Sequence, residues 1–131
     1  MPLCRAASLT GAAKLTSISG GPLEAPTLAE SSDIPEDAWI DLAAGGKLTA
    51  RHPHSTRETT FVGPARVRSC VAHGQEAWLE SGKFESVLAA GEHPGAEEWV
   101  VTPIGVVRYG VAKLAMVVGA EPGGAKVDVK V

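Results

Sequence analysis

Glycine and proline interrupt this chain so often that a long helix has nowhere to form. There are 15 glycines and 9 prolines among 131 residues, and a proline inside a helix removes a ladder bond and clashes with the preceding turn. Between the breaks, side chains alternate with a period of two. Lys126 to Val131 is the clearest run, with Val127, Val129 and Val131 expected inward and Lys126, Asp128 and Lys130 outward,. About ten such short segments, roughly eight to twelve residues apart, predict an all-β fold.

The breaks also suggest how the chain is organised. Ala13 to Ile18 reads as a strand ended by Gly20-Gly21-Pro22, and Cys4 is expected in a mobile start. Leu23 to Glu36 is acidic and proline-punctuated, hence an extended connector. Ser32 and Asp33 ahead of Glu36 have capping-box spacing, so a short helix over 36–43 competes with a strand there. Residues 1–36 are therefore read as an N-terminal strand and connector packed on a β domain at 37–131, within a single structural domain. Farther on, Gly63-Pro64 and Ser81-Gly82 are expected to end strands, and Gly91 to Gly95 to form a hairpin loop,.

Apolar residues make up 44% of the chain and charged residues 21%, a globular balance. Aromatic side chains are scarce: Phe61, Phe84, Tyr109, Trp39, Trp78 and Trp99. Small aliphatic residues must fill the interior, which suits a thin core. The architecture expected is an antiparallel sandwich or a solenoid-like stack, with a lean toward stacking.

Charge removes one class of partner. Twelve basic and fifteen acidic residues leave a net charge of −3, and no basic run forms a nucleic-acid footprint. Arg66 and Arg68 form the densest basic pair, sharing one strand face at i, i+2 spacing,. The most apolar run, Leu114 to Val118, falls far short of the roughly 20 residues that span a bilayer. Direct membrane insertion is not expected. Nor does the N-terminal stretch have the basic and apolar regions of a secretory signal peptide.

No pattern of reactive residues points to catalysis. His52-Pro53-His54 with Glu58 is the sharpest metal candidate, yet proline favours a turn and no third ligand is fixed by spacing. His73 and His93 sit in turns of the same kind. A strained GxSxG nucleophile turn is lacking. Glu97 and Glu98 are adjacent and point to opposite strand faces, while Glu76 and Glu80 share a solvated face. Gly119 to Gly124 lacks the lysine of a phosphate loop. Cys4 and Cys70 have no zinc spacing, and a disulfide between them is left open. The expectation is a non-enzyme without metal or cofactor. Trp78 and Trp99 alternate opposite small aliphatic residues, and with Arg66 and Arg68 they make the candidate recognition surface.

From about Lys14 to Val118 the chain resembles the FecR-type domain, the extracytoplasmic sensing module of bacterial iron-dicitrate-type anti-sigma regulators. The resemblance is carried by Trp39-Ile40-Asp41-Leu42-Ala43 with Gly46-Lys47-Leu48-Thr49-Ala50, and by Leu79-Glu80-Ser81-Gly82-Lys83-Phe84. Most specific is Val100-Val101-Thr102-Pro103-Ile104-Gly105-Val106-Val107, followed by Gly110. Gly110-Val111 replaces the usual Gly-Thr, and Leu114 stands where an aromatic is common. Thr102, Pro103, Gly105 and Gly110 are read as architectural turn residues.

The resemblance implies a β-rich module of the periplasm or cell envelope that acts in transmembrane signalling by protein–protein recognition. Its implied partner is a receptor signalling domain or another envelope regulator. Two other readings stand beside it. One is a structural module that self-associates through strand edges such as Lys126 to Val131. The weaker one is glycan binding through Trp78 and Trp99.

Overall fold

The computed structural model describes residues 4–17, 27–35, 38–51, 57–72, 75–88, 98–109, 113–121 and 124–130. They form ten strands: β1 (Arg5–Thr10), β2 (Ala13–Ser17), β3 (Ala38–Leu42), β4 (Lys47–Arg51), β5 (Arg57–Ala72), β6 (Gln75–Leu88), β7 (Glu98–Thr102), β8 (Gly105–Tyr109), β9 (Lys113–Glu121) and β10 (Gly124–Lys130). Among the described residues no helix occurs. The all-β expectation holds, and β3 occupies the segment where a short helix competed.

Two strands are far longer than the sequence breaks suggest. β5 has 16 residues and β6 has 14, and each serves two sheets. The first half of β5 pairs with β4, the second half with β3. Likewise, β6 lies beside β7 at its start and beside β9 at its end. All ten strands belong to one hydrogen-bonded sheet that folds along β5 and β6 into two layers, here the back sheet, β1-β4-β5-β6-β9-β10, and the front sheet, β2-β3-β5-β6-β7-β8. Neighbouring strands are antiparallel except β6 and β7. The loop expected as a hairpin at 91–95 lies outside the described residues, but the strands it was to join run parallel.

The glycines expected to end strands bend them instead. Gly63-Pro64 is a cis peptide inside β5, and Gly82 in β6 has φ +113. A Cβ at Gly63 would lie 2.0 Å from the Ala43 carbonyl oxygen, and one at Gly82 would lie 2.4 Å from the Ala65 Cβ. At both points the backbone passes too close to a neighbouring segment for any side chain. The β5–β6 register shifts between Val62 and Arg66 and resumes beyond, as at a bulge that bends a pair without ending it.

The two sheets close on one core, which is the sandwich alternative rather than the stack. Leu48, Phe61, Phe84, Leu114 and Met116 from the back meet Ile40, Val67, Leu79 and Val100 from the front in a single buried cluster. Phe84 links the layers, its ring 5.6 Å from Phe61 and 6.4 Å from Tyr109. Buried Ala6, Ala13, Ala38, Ala50 and Ala77 keep the core thin, as the composition requires.

The two lateral sides of the sandwich differ. On one, residues 27–34 run along both β1 and β2. Leu28 N–H donates to the Ala13 carbonyl at 2.9 Å, Ala6 N–H to Ser32 at 2.9 Å, Ser31 N–H to Ala6 at 2.7 Å, and Ile34 N–H to Cys4 at 2.7 Å. Leu28 and Ile34 are buried there. The described part of the connector is not one extended run: it turns at 29–32, where Ser32 N–H donates to the Ala29 carbonyl at 3.2 Å and Ser31 takes φ 66, and so it reaches both edges. Cys4 corrects an expectation: it is buried and disulfide-bonded at the head of β1, not in a mobile start. The other lateral side ends in β8 and β10, and no further strand pairs with either among the described residues.

β10 also departs from its reading. Val127 and Val129 face the same way as the buried Val118 and Met116 that they oppose. Val127 packs half-buried against the core, but Val129, nearer the strand's end, stays 46% exposed.

Candidate recognition surface

Alternation along the front sheet decides which side chains leave the core. Ala38, Ile40 and Leu42 of β3 are buried, so Trp39 and Asp41 point outward. Burial of Ala65 and Val67 turns Arg66 and Arg68 out of β5, and burial of Ala77 and Leu79 does the same for Trp78 and Glu80 of β6. On β7 the inward Val100 and Thr102 leave Trp99 and Val101 outside. On β8 the buried Tyr109 fixes Val106 and Arg108 as outward.

Pairing register lines these residues up. Thr16 opposes Trp39, Arg68 opposes Trp78, Trp78 opposes Val101 and Val101 opposes Val106. Trp39 and Arg68 are one step beyond the Ile40–Val67 pair in the same register. A single row, Thr16–Trp39–Arg68–Trp78–Val101–Val106, therefore crosses the front sheet from β2 to β8. Trp78 is 37% exposed, Val106 53%, and Ile104 in the adjoining turn 60%.

Charge and ring contacts order this surface. The Trp39 and Trp78 rings meet edge to face at 6.1 Å. The Arg66 guanidinium lies 5.0 Å from the Trp39 centroid. Its Nη1 donates to Asp41 Oδ1 at 3.1 Å and Oδ2 at 3.2 Å, and its Nε is 3.5 Å from Glu80 Oε2. Held on three sides, Arg66 acts mainly as a clamp on Trp39. Arg108 lies 5.9 Å from the Trp99 centroid, a second cation–π contact,. Among the described outward side chains, Lys14, Arg66, Arg68 and Arg108 outnumber Asp41 and Glu80, on a chain whose net charge is −3.

All four residues expected to form a recognition surface, Trp78, Trp99, Arg66 and Arg68, thus lie on this face. Trp39, Val106 and Arg108 were not among them. Their signal was present, since Trp39 alternates against Ile40 and Leu42 just as Trp78 does against Ala77 and Leu79. A cleft of about 530 Å³ adjoins the face at the crease, with Asp41, Arg66, Gly63, Gly82 and Lys83 in its wall.

Thr102 and Gly105 close the turn after β7. Thr102 is buried and its Oγ1 donates to the Gly105 carbonyl at 2.8 Å, while Gly105 takes φ +152. Pro103 is exposed beside Ile104. Gly110 lies outside the described residues, as do His52, His54, His73 and His93. Glu58, the acidic neighbour of the histidine pair, accepts from Arg51 Nε at 3.0 Å and Nη2 at 2.5 Å. Among the described residues no group of three His, Cys, Asp or Glu side chains is placed to hold a metal.

Compared with known proteins, the chain matches no family model, no curated protein and no solved structure.

Proposed function

We propose that this chain is a non-catalytic recognition module of the bacterial envelope, a FecR-like sensor domain that binds another protein through the outer face of its front sheet. The observation carrying this reading is the unbroken row Trp39–Arg68–Trp78–Val101–Val106. Tryptophan and arginine are the residues most often found at the energetic centre of protein interfaces. Rings held by cation–π contacts lose little side-chain entropy on docking, which favours a rigid partner surface. The Cys4 disulfide fits an oxidising compartment such as the periplasm,. The partner class is a receptor's periplasmic signalling domain or another envelope regulator.

Affinity capture from native envelope extract, with the chain and its Trp78→Ala variant side by side, tests this. The reading expects one stoichiometric partner whose recovery falls at least about tenfold with the variant, as for an interface hot spot. Equal recovery with both proteins contradicts it. Indole fluorescence that changes with cell-wall polysaccharide, and with no protein, supports glycan binding instead.

Val129 favours a second reading, self-association through β10. It is an apolar residue left 46% exposed on an edge strand, the usual template for pairing between copies. Sedimentation that depends on concentration, and is abolished by Val129→Lys, supports this second reading. A monomer at high concentration removes it.

A further inference from the structure

We infer that the cleft at the crease is a binding site for a small organic anion, a carboxylate carried on an apolar body. This inference is independent of the protein-recognition reading, because it turns on Lys83 and Gly119, which that reading does not use. The cleft opens where β5 and β6 bend. Its volume of about 530 Å³ lies within the roughly 300–1,000 Å³ of small-molecule sites. Four strands supply its walls, with Asp41 of β3, Pro64 of β5, Lys83 of β6 and Val117 of β9 among them. The close approaches at Gly63 and Gly82 fix the bend, so the cleft is formed before anything enters it.

Gly119 points to an occupant. Glycine inside a strand weakens it, and marks a bulge, a tight bend, or a place where a ligand or another backbone comes close. The β9–β10 register runs through Gly119 without a shift, so no bulge accounts for it. Its φ is not among the positive values taken at Gly82 and Gly105, so no left-handed bend does either. A Cβ there would meet nothing within 4 Å among the described residues, unlike one at Gly63 or Gly82. No neighbouring segment therefore excludes a side chain. What a side chain at 119 would occupy is the cleft itself, which Gly119 lines.

Charge defines what enters. Two cations stand in the wall, and Arg66 is already held by Asp41 at 3.1 Å and Glu80 at 3.5 Å. Lys83 is exposed, and its ammonium pairs with no carboxylate among the described residues. Pairing register sets it between Val62 and Val117, with Lys47 beyond Val62 in the same row. Val117 is 42% exposed. An anionic group on Lys83, with an apolar body over Val62, Val117 and the bare backbone of Gly119, satisfies the charge and the apolar wall together. With Asp41 engaged by Arg66, the wall offers a cationic ligand no such counter-ion.

Titration of the isotope-labelled full chain with naphthylacetate, followed by NMR, tests this, with the neutral naphthylacetamide as comparison. Expected are saturable shifts concentrated at the amides of Ser81, Lys83, Val117 and Gly119. Lys83→Ala should weaken naphthylacetate by about tenfold, the effect of losing a hydrogen bond to a charged group, and leave naphthylacetamide unchanged. Gly119→Leu, which fills the cleft, should weaken both by about tenfold or more. The spectrum of each free variant checks that it folds, and Lys83→Ala carries the test if Gly119→Leu does not fold. Trp78→Ala, which tests the protein-recognition reading, should leave naphthylacetate binding as it is. Binding that survives Lys83→Ala and Gly119→Leu, or is lost with Trp78→Ala alone, overturns the cleft site without touching that other reading. Equal affinity for the two probes, or no saturable shift with either, overturns it as well.

Discussion

The two lateral sides of this sandwich solve the same problem in opposite ways. Where β1 and β2 end their sheets, residues 27–34 supply the missing partners, with four main-chain bonds and the buried side chains of Leu28 and Ile34. Where β8 and β10 end them, Val106 and Val129 stay largely exposed. Unpaired strand edges promote association unless they are covered or blunted, so the open side is where a partner is to be sought. The covered side shows what such a partner has to provide: a segment laid along the edge, a few main-chain bonds and one or two apolar anchors.

Truncating an anchor on the covered side should have the largest effect on stability. Ile34 is fully buried, so Ile34→Ala is expected to cost about 2–5 kcal/mol in urea denaturation. A loss below about 1 kcal/mol would mean that the connector only rests on the edges. Next comes the disulfide at Cys4. Reduction should lower stability by about 2–4 kcal/mol, and thiol titration of the native protein should find no free thiol. Reactive thiols before reduction would break this part of the comparison and remove the support for an oxidising compartment.

The crease holds both sides in one molecule. Gly82 has φ +113 and no room for a Cβ beside Ala65, so Gly82→Ala should destabilise by about 1–3 kcal/mol. A neutral effect would show that the two halves of β6 do not depend on this bend. Smallest of all should be the effect of altering the open side. Ile104→Ser and Val106→Thr are each expected to change stability by no more than about 0.5 kcal/mol. A loss of 2 kcal/mol or more, roughly that of a buried side chain, would mean that these residues are covered in the folded chain, and the contrast between the sides would fail.

Much of the front face was legible in the sequence, because alternation is local. Trp78 opposite Ala77 and Leu79, and Trp99 opposite Val100, need only a strand and a core to be assigned outward. β1 escaped because its alternation is broken: the β1–β4 register shifts between Ala6 and Ser8, and a bulge removes the period by which a strand is read. Gly63-Pro64 and Gly82 were read as ends because the same residues serve turns and bends alike. Only the proximity of Ala43 and Ala65 distinguishes the two roles here. That β6 and β7 run parallel, and that residues 27–34 cover two edges at once, depends on contacts between distant segments that no local pattern records. The meeting of Arg66 with Trp39, Asp41 and Glu80 is of this kind too.

Residue-resolved hydrogen exchange on the isolated monomer tests the contrast between the two sides most directly. The amides of Ala6, Leu28, Ser31 and Ile34 are bonded to carbonyls across the covered side, and they should be protected well beyond the frayed-segment level. The amide of Val106, a residue 53% exposed on β8, should exchange rapidly. Rapid exchange at Ala6 and Ile34, or strong protection at Val106 in the monomer, would contradict an account in which one side of the sandwich is closed by the chain itself and the other is left exposed.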